Sequence, residues 1–143
     1  KEIKTDNKID PYKEVRNIAK NNNIILKTSL NNIFDKKMTW DNLNKISSDK
    51  KFIVGGHGKT HRILSYLNND DVKNEIKNSI NLINKKLSIK VKHFSYPEGL
   101  NFCFGKREIS ILKKNGIKCS PSAVDGINKI KEDLFNLKRI FCN

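Results

Sequence analysis

Cysteine is scarce in this chain and badly spaced for any framework. Cys103, Cys119 and Cys142 are the only three, and no two form a Cys-x-x-Cys pair. An odd, sparse set excludes a disulfide scaffold and a cysteine-based zinc site, and points to reduced thiols in a cytoplasm-like compartment. Long apolar runs are missing too. Nothing approaches the length of a membrane-spanning helix, and no hydrophobic signal region opens the chain. The location expected is cytoplasmic, with the cell envelope as the alternative if an upstream signal has been removed. Lys1 rather than Met stands first, as in a processed product or a chain lacking something upstream.

Acidic residues are also in short supply. Lys and Arg number 29 against 15 Asp and Glu, a formal charge of +14. Such an excess raises the question of nucleic acid, but the footprint of a nucleic-acid binder is a clustered patch as well as net charge. The lysines are spread along the whole chain, and no aromatic-rich basic motif of the RNA-binding kind is present. A solvated basic surface is expected, and no nucleic-acid partner. There is no internal repeat and no low-complexity linker, so 143 residues suit one domain over 1–143, short of N-terminal elements if something upstream is missing.

Short apolar clusters alternate between two periods. Asp10 to Asn23 reads as a helix, with Asp10 as cap, Pro11 in the first turn, and Val15, Ile18 and Ala19 at helical spacing. Ile24-Ile25-Leu26 follows as a short buried strand. Thr39 caps a second helix carrying Trp40, Leu43 and Ile46, and Phe52-Ile53-Val54 is a second buried strand stopped by Gly55-Gly56. From Asp70 to about Leu87, Val72, Ile76, Ile80, Leu82, Ile83 and Leu87 mark a long helix, with Asp70 and Asp71 at its positive end. A strand over Val91 to Ser95 runs into Pro97 and Gly99. A helix over about Lys106 to Lys114 ends at Asn115-Gly116. Ile117 to Cys119 and Leu137 to Phe141 are the last strands. Strand alternating with helix through short turns predicts a parallel sheet covered by helices, open or curled into a barrel, with functional residues where strands end.

His57-Gly-Lys-Thr-His61 stands at such a place and holds two of the chain's three histidines. On a helical turn, positions four apart share a face, so both imidazoles reach one ion. Imidazole suits zinc, cobalt or iron, and a catalytic site needs three protein ligands and an open position. Tyr96-Pro97-Glu98-Gly99, after the next strand, is the other such place; on its own residues it also reads as a plain strand-ending turn.

Together the series resembles the polysaccharide deacetylase (NodB-homology, carbohydrate esterase) family. The resemblance rests on Met38-Thr-Trp-Asp-Asn-Leu, then Phe52-Ile-Val-Gly-Gly-His57-Gly-Lys-Thr-His61-Arg-Ile-Leu-Ser65, then Asp70 to Ser79, then Phe94-Ser-Tyr-Pro97-Glu-Gly99, with Asn115-Gly116-Ile117 and Leu137-Lys-Arg139-Ile closing. It covers roughly residues 9 to 142.

The resemblance implies a distorted, incomplete (β/α) barrel of about seven strands and a metal-dependent hydrolase that removes acetyl groups from N-acetylated sugars of a bacterial surface polysaccharide or its precursor. His57 and His61 would bind a divalent metal, usually zinc, which activates a water and polarises the acetamide carbonyl. Tyr96, Pro97, Glu98 and Gly99 would wall the sugar groove, with backbone amides near the developing oxyanion. The family's first motif, with one Asp as base and the next as third ligand, departs here. The closest stretch is Lys8-Ile9-Asp10-Pro11-Tyr12, which puts Asp10 in the ligand's place and Ile9 in the base's. Asp6 and Asp35 are spare carboxylates. Asp70-Asp71 belongs to a helix start, the family's late acid histidine is missing, and His93 reads as structural. A catalytically silent domain that binds glycan or a protein partner is the alternative.

Overall fold

Helix ends show sequence chemistry most directly, because the first N–H groups of a helix have no partner within it. The computed structural model describes residues 6, 9–26 and 36–141. Helix α1 spans Pro11–Asn21, and the Asp10 carboxylate accepts from the Tyr12 and Lys13 amides at 2.9 and 3.2 Å. Helix α2, Trp40–Ser48, opens with a reciprocal cap: Asn42 N–H donates to the Thr39 hydroxyl at 3.2 Å, and Thr39 N–H donates to the Asn42 side chain at 3.1 Å. Helix α3, Asn69–Leu87, is capped by Asn68 and not by Asp70; the Asn68 side-chain oxygen accepts from the Asp70 and Asp71 amides at 3.1 and 2.9 Å. Helix α4, Lys106–Lys114, begins where Gly105 N–H donates to the Glu108 carboxylate at 2.8 Å, and ends at Asn115 and Gly116.

Parallel segments lie side by side in chain order. Gly56 bridges Phe94, and His93 bridges Cys119. Just beyond Cys119, β1 (Pro121–Asp125) pairs in parallel with β2 (Leu137–Arg139). The first rungs are fixed by Gly56 N–H to His93 carbonyl at 2.9 Å, Ser95 N–H to Gly56 carbonyl at 2.8 Å and Phe94 N–H to Cys119 carbonyl at 3.1 Å. The architecture is α/β. Among the described residues only β1 and β2 form a sheet; the other rungs are single bridges.

The core lies between this ladder and helices α3 and α4. Val72, Ile76 and Ile80 of α3 and Leu112 of α4 meet Phe94, Tyr96 and Ile117, all 4% exposed or less. Burying each such side chain contributes roughly 1.5–3 kcal/mol, so this cluster outweighs any single polar contact.

Several expectations give way. Ile24–Leu26 is not a buried strand: it lies outside any strand, with exposures of 56, 81 and 53%. Phe52–Val54 also lies outside any strand, Phe52 and Ile53 being 56 and 72% exposed, and pairing begins only at Gly56. An apolar triplet marks a strand only where partners cover it, which periodicity does not show. Leu82 falls off the buried stripe of α3, and α2 contains no fully buried residue. The last strand stops at Arg139. Cys103 is buried and Cys119 half-buried; both are free thiols with pKa pushed up chiefly by burial. Cys142, Lys8 and Asp35 lie outside the described residues.

Candidate active site

The rung between Gly56 and Phe94 delivers His57 to the end of the parallel ladder. Gly56 lies flat against Phe94: a β-carbon at position 56 would come within 2.7 Å of the Phe94 ring. One residue on, His57 Nδ1 is 2.8 Å from the Ser95 carbonyl oxygen. A carbonyl only accepts, so in the neutral imidazole Nδ1 carries the proton and Nε2 keeps its lone pair. Donation of the second ring nitrogen to a backbone carbonyl is how metal-binding histidines are oriented.

His61 reaches His57 by an unexpected route. Residues 57–61 are not a helical turn but an irregular loop, with Gly58 at φ 79° and His61 at φ 59°. These two left-handed residues fold the segment back so that the imidazoles meet edge to face, ring centroids 4.7 Å apart at 71°. Between them, Thr60 donates both its N–H and its hydroxyl to the Glu75 carboxylate, the hydroxyl at 3.0 Å. Glu75 comes from α3 and is only 8% exposed.

The Tyr96–Gly99 loop is held more deeply than a groove wall. Tyr96 is 1% exposed, stacks on Phe104 with centroids 3.8 Å apart, and donates its phenol to the Phe135 carbonyl at 2.9 Å. Burial pushes that phenol up to about 12, with the neighbouring Ser120 pulling the other way. Pro97 is fully buried, and the Gly99 amide is taken by the Pro97 carbonyl at 2.7 Å. The Tyr96 and Pro97 side chains thus face the core, while Glu98 lines a cleft together with His61, Asp6, Thr60 and Arg62.

The start of α1 closes the same region. Ile9 and Asp10 line a neighbouring cleft of about 350 Å³ with Lys59, Thr60, Arg62 and Glu75. Asp10's two cap bonds both fall on Oδ1. No group of three His, Cys, Asp or Glu among the described residues stands ready to hold a metal. The structure therefore joins His57 to His61 and brings Asp10 to an adjacent cleft without adding it to the pair. The two imidazoles, one with its Nε2 lone pair free, fit two of the three protein ligands that a borderline divalent ion takes.

His93 carries the ladder, its carbonyl accepting from Gly56. Asp70 pairs with Lys73 at 3.2 Å, and Asp71 accepts from the Asn68 side chain at 2.8 Å, both as expected of a helix start. Glu75 and Thr60 were not among the residues singled out from sequence. The available signal was a carboxylate on the stripe formed by Val72, Ile76 and Ser79.

Residues 10–120 match the polysaccharide deacetylase family model. The chain belongs to the polysaccharide deacetylase family. No curated protein matches it. Among solved structures, it is similar to the Streptococcus pyogenes deacetylase PplD in complex with acetate, at 20% identity and TM-score 0.65, over 73% of this chain and 44% of that one. It is also similar to the deacetylase domain of BpsB from Bordetella bronchiseptica, at 17% identity and TM-score 0.66, over 82% of this chain and 53% of that one. The deacetylase-type fold is shared, and the chain spans about half the length of these structures.

Proposed function

We propose that this chain carries the metal-binding half of a deacetylase acting on N-acetylated sugars of a bacterial surface polysaccharide or its precursor. The observation that carries the reading is the His57–His61 pair at the end of a parallel ladder, rings 4.7 Å apart, with His57 Nδ1 held by the Ser95 carbonyl. The parallel rungs in chain order support a further reading, that the ladder is part of the distorted (β/α) barrel that the family resemblance implies. Acetate in the PplD structure is the product such a reaction would release.

In this reading His57, through Nε2, and His61 would hold a divalent ion, by preference zinc, with Asp10 of the adjacent cleft as the third ligand. The ion would supply Lewis acidity, lowering the pKa of a water and polarising the acetyl carbonyl. The water oxygen joins the acetyl carbon, the C–N bond breaks, and the water's protons end on the amine and in solvent. Ile9, in the place of the family's base, takes no proton. Asp6 and Glu98 line the cleft with His61, and in this reading one of them would hold the proton. A positioned general base contributes about 10²–10⁴-fold.

The substitution at Ile9 favours a second reading, a glycan-binding domain without turnover. Both are tested by metal content of the purified protein beside His57→Ala/His61→Ala, followed by acetate release from acetylated chito-oligosaccharides. About one ion per chain that is lost in the double variant, with acetate release, supports the hydrolase. Metal with glycan binding but no acetate supports the silent domain. No metal in the wild type, even after adding zinc, overturns the site.

A further inference from the structure

We infer that Glu75 is a positioning residue that holds the His61 imidazole opposite that of His57, acting through Thr60. The inference rests on the proposed metal-binding role of His57 and His61 only for its consequence; the geometry stands apart from it.

A carboxylate on the buried stripe of a helix costs free energy unless it is hydrogen-bonded, and Glu75 is 8% exposed between Val72 and Ile76. It makes its bonds with the one residue that immediately precedes His61. Thr60 N–H and Thr60 Oγ–H both point to Glu75 Oε1. Charge-assisted bonds of this kind are about twice as strong as neutral ones. Two of them on one residue fix both the backbone direction and the side chain of Thr60.

The loop needs such a hold. His61 sits at φ 59°, a conformation that a residue with a β-carbon adopts at a cost. Gly58, at φ 79°, leaves little room for a side chain beside the same carboxylate: a β-carbon there would lie 3.1 Å from Glu75 Oε1. Glu75 thus bonds Thr60, beside the turn at His61, and borders the turn at Gly58 closely enough to limit what can stand there. The other anchor, Ser95 carbonyl to His57 Nδ1, fixes only the first histidine. With Glu75 removed, His57 stays oriented by the ladder while His61 loses what holds it opposite.

The test compares wild type, Glu75→Gln, Glu75→Ala and Thr60→Val by two readouts. The first needs no metal: the nuclear Overhauser contact between the His57 and His61 rings in the apoprotein. The second is zinc affinity by chelator competition, with the visible bands of the cobalt-loaded protein. We expect the ring contact in wild type and Glu75→Gln, whose amide oxygen still accepts from Thr60. We expect it lost in Glu75→Ala and weakened in Thr60→Val, with far-ultraviolet circular dichroism preserved in at least the Gln and Val variants. Zinc affinity should fall about 10–100-fold in Glu75→Ala, the range for loss of an outer-shell partner, and only a few-fold in Glu75→Gln. An unchanged ring contact in a folded Glu75→Ala or Thr60→Val overturns the inference. A ring contact that follows Glu75 while no variant, wild type included, binds zinc supports the positioning role and overturns the metal site instead.

Discussion

Gly58 and Gly116 form a matched pair for testing how tightly the histidine loop is built. Both have left-handed backbone, φ 79° and 80°. A β-carbon at Gly116 meets nothing within 4 Å, whereas at Gly58 it would lie 3.1 Å from Glu75 Oε1 and 3.3 Å from Pro97 Cγ. Alanine at either site carries the left-handed penalty of about 1–2 kcal/mol. For a chain of this size that lowers Tm by roughly 3–8 °C. Gly116→Ala should show this and nothing more. Gly58→Ala adds a contact that Pro97, fully buried, is poorly placed to relieve, so the Glu75 carboxylate must move. Overpacking of this kind costs about 1–3 kcal/mol further. The assay is thermal unfolding followed by circular dichroism, with zinc affinity by chelator competition on the same samples. We expect both variants to lose stability, Gly58→Ala by more, and only Gly58→Ala to lose zinc affinity. Equal Tm shifts with unchanged affinity in both would refute the argument that the loop, Glu75 and Pro97 are one packed unit.

Other outcomes follow from named contacts. Asp10→Asn keeps a good cap and should leave Tm almost unchanged, while Asp10→Ala should cost about 0.5–2 kcal/mol in chemical denaturation. If Asp10 is the third ligand, both variants lose zinc affinity by more than the roughly 10–100-fold of an outer-shell change, and normal binding in Asp10→Asn would remove it from that role. Tyr96 has a folded pKa of about 12, above its ordinary value of 10, so the folded state holds the phenolic proton longer than the unfolded one. Its contribution is complete below pH 10 and is lost as pH rises towards 12; the stability difference between wild type and Tyr96→Phe should shrink across that window and stay constant below it. Gly56→Ala drives a β-carbon to 2.7 Å from the Phe94 ring and should cost about 1–3 kcal/mol by denaturant midpoint.

Helices were the most legible part of the fold. Asp10, Thr39 and the Asn115-Gly116 stop act within a few residues, so their chemistry is written locally, and the observed helices start or end at them. The long helix starts at Asn69, one residue before the expected Asp70, with Asn68 as its cap among neighbouring polar residues that also favour that position. Strands were less legible because they are completed by partners far along the chain. Ile24–Leu26 and Phe52–Val54 have the composition of buried strands, yet their surroundings leave them exposed. Parallel pairing of Gly56 with Phe94 spans 38 residues, and nothing near Phe52 announces it.

The site shows the same division. His57 and His61 were visible as a pair, but the helical turn expected to unite them does not exist; the rings meet because Gly58 and His61 turn left-handed. That conformation is held from outside the motif, by Ser95 at one end and Glu75 at the other. A motif read in one dimension names the two imidazoles, while the residues bonded to their loop lie far along the chain, Ser95 38 positions from His57 and Glu75 15 from Thr60. Tyr96 and Pro97 show the same limit: their chain position places them beside the histidines, and only burial tells that their side chains face the core. It also follows that the sequence around the histidines is not where the site is most easily broken. A change on α3 or in the 94–97 segment alters the imidazole geometry while leaving His-x-x-x-His intact, so retention of the motif is a weaker sign of a working site than retention of Glu75 with it.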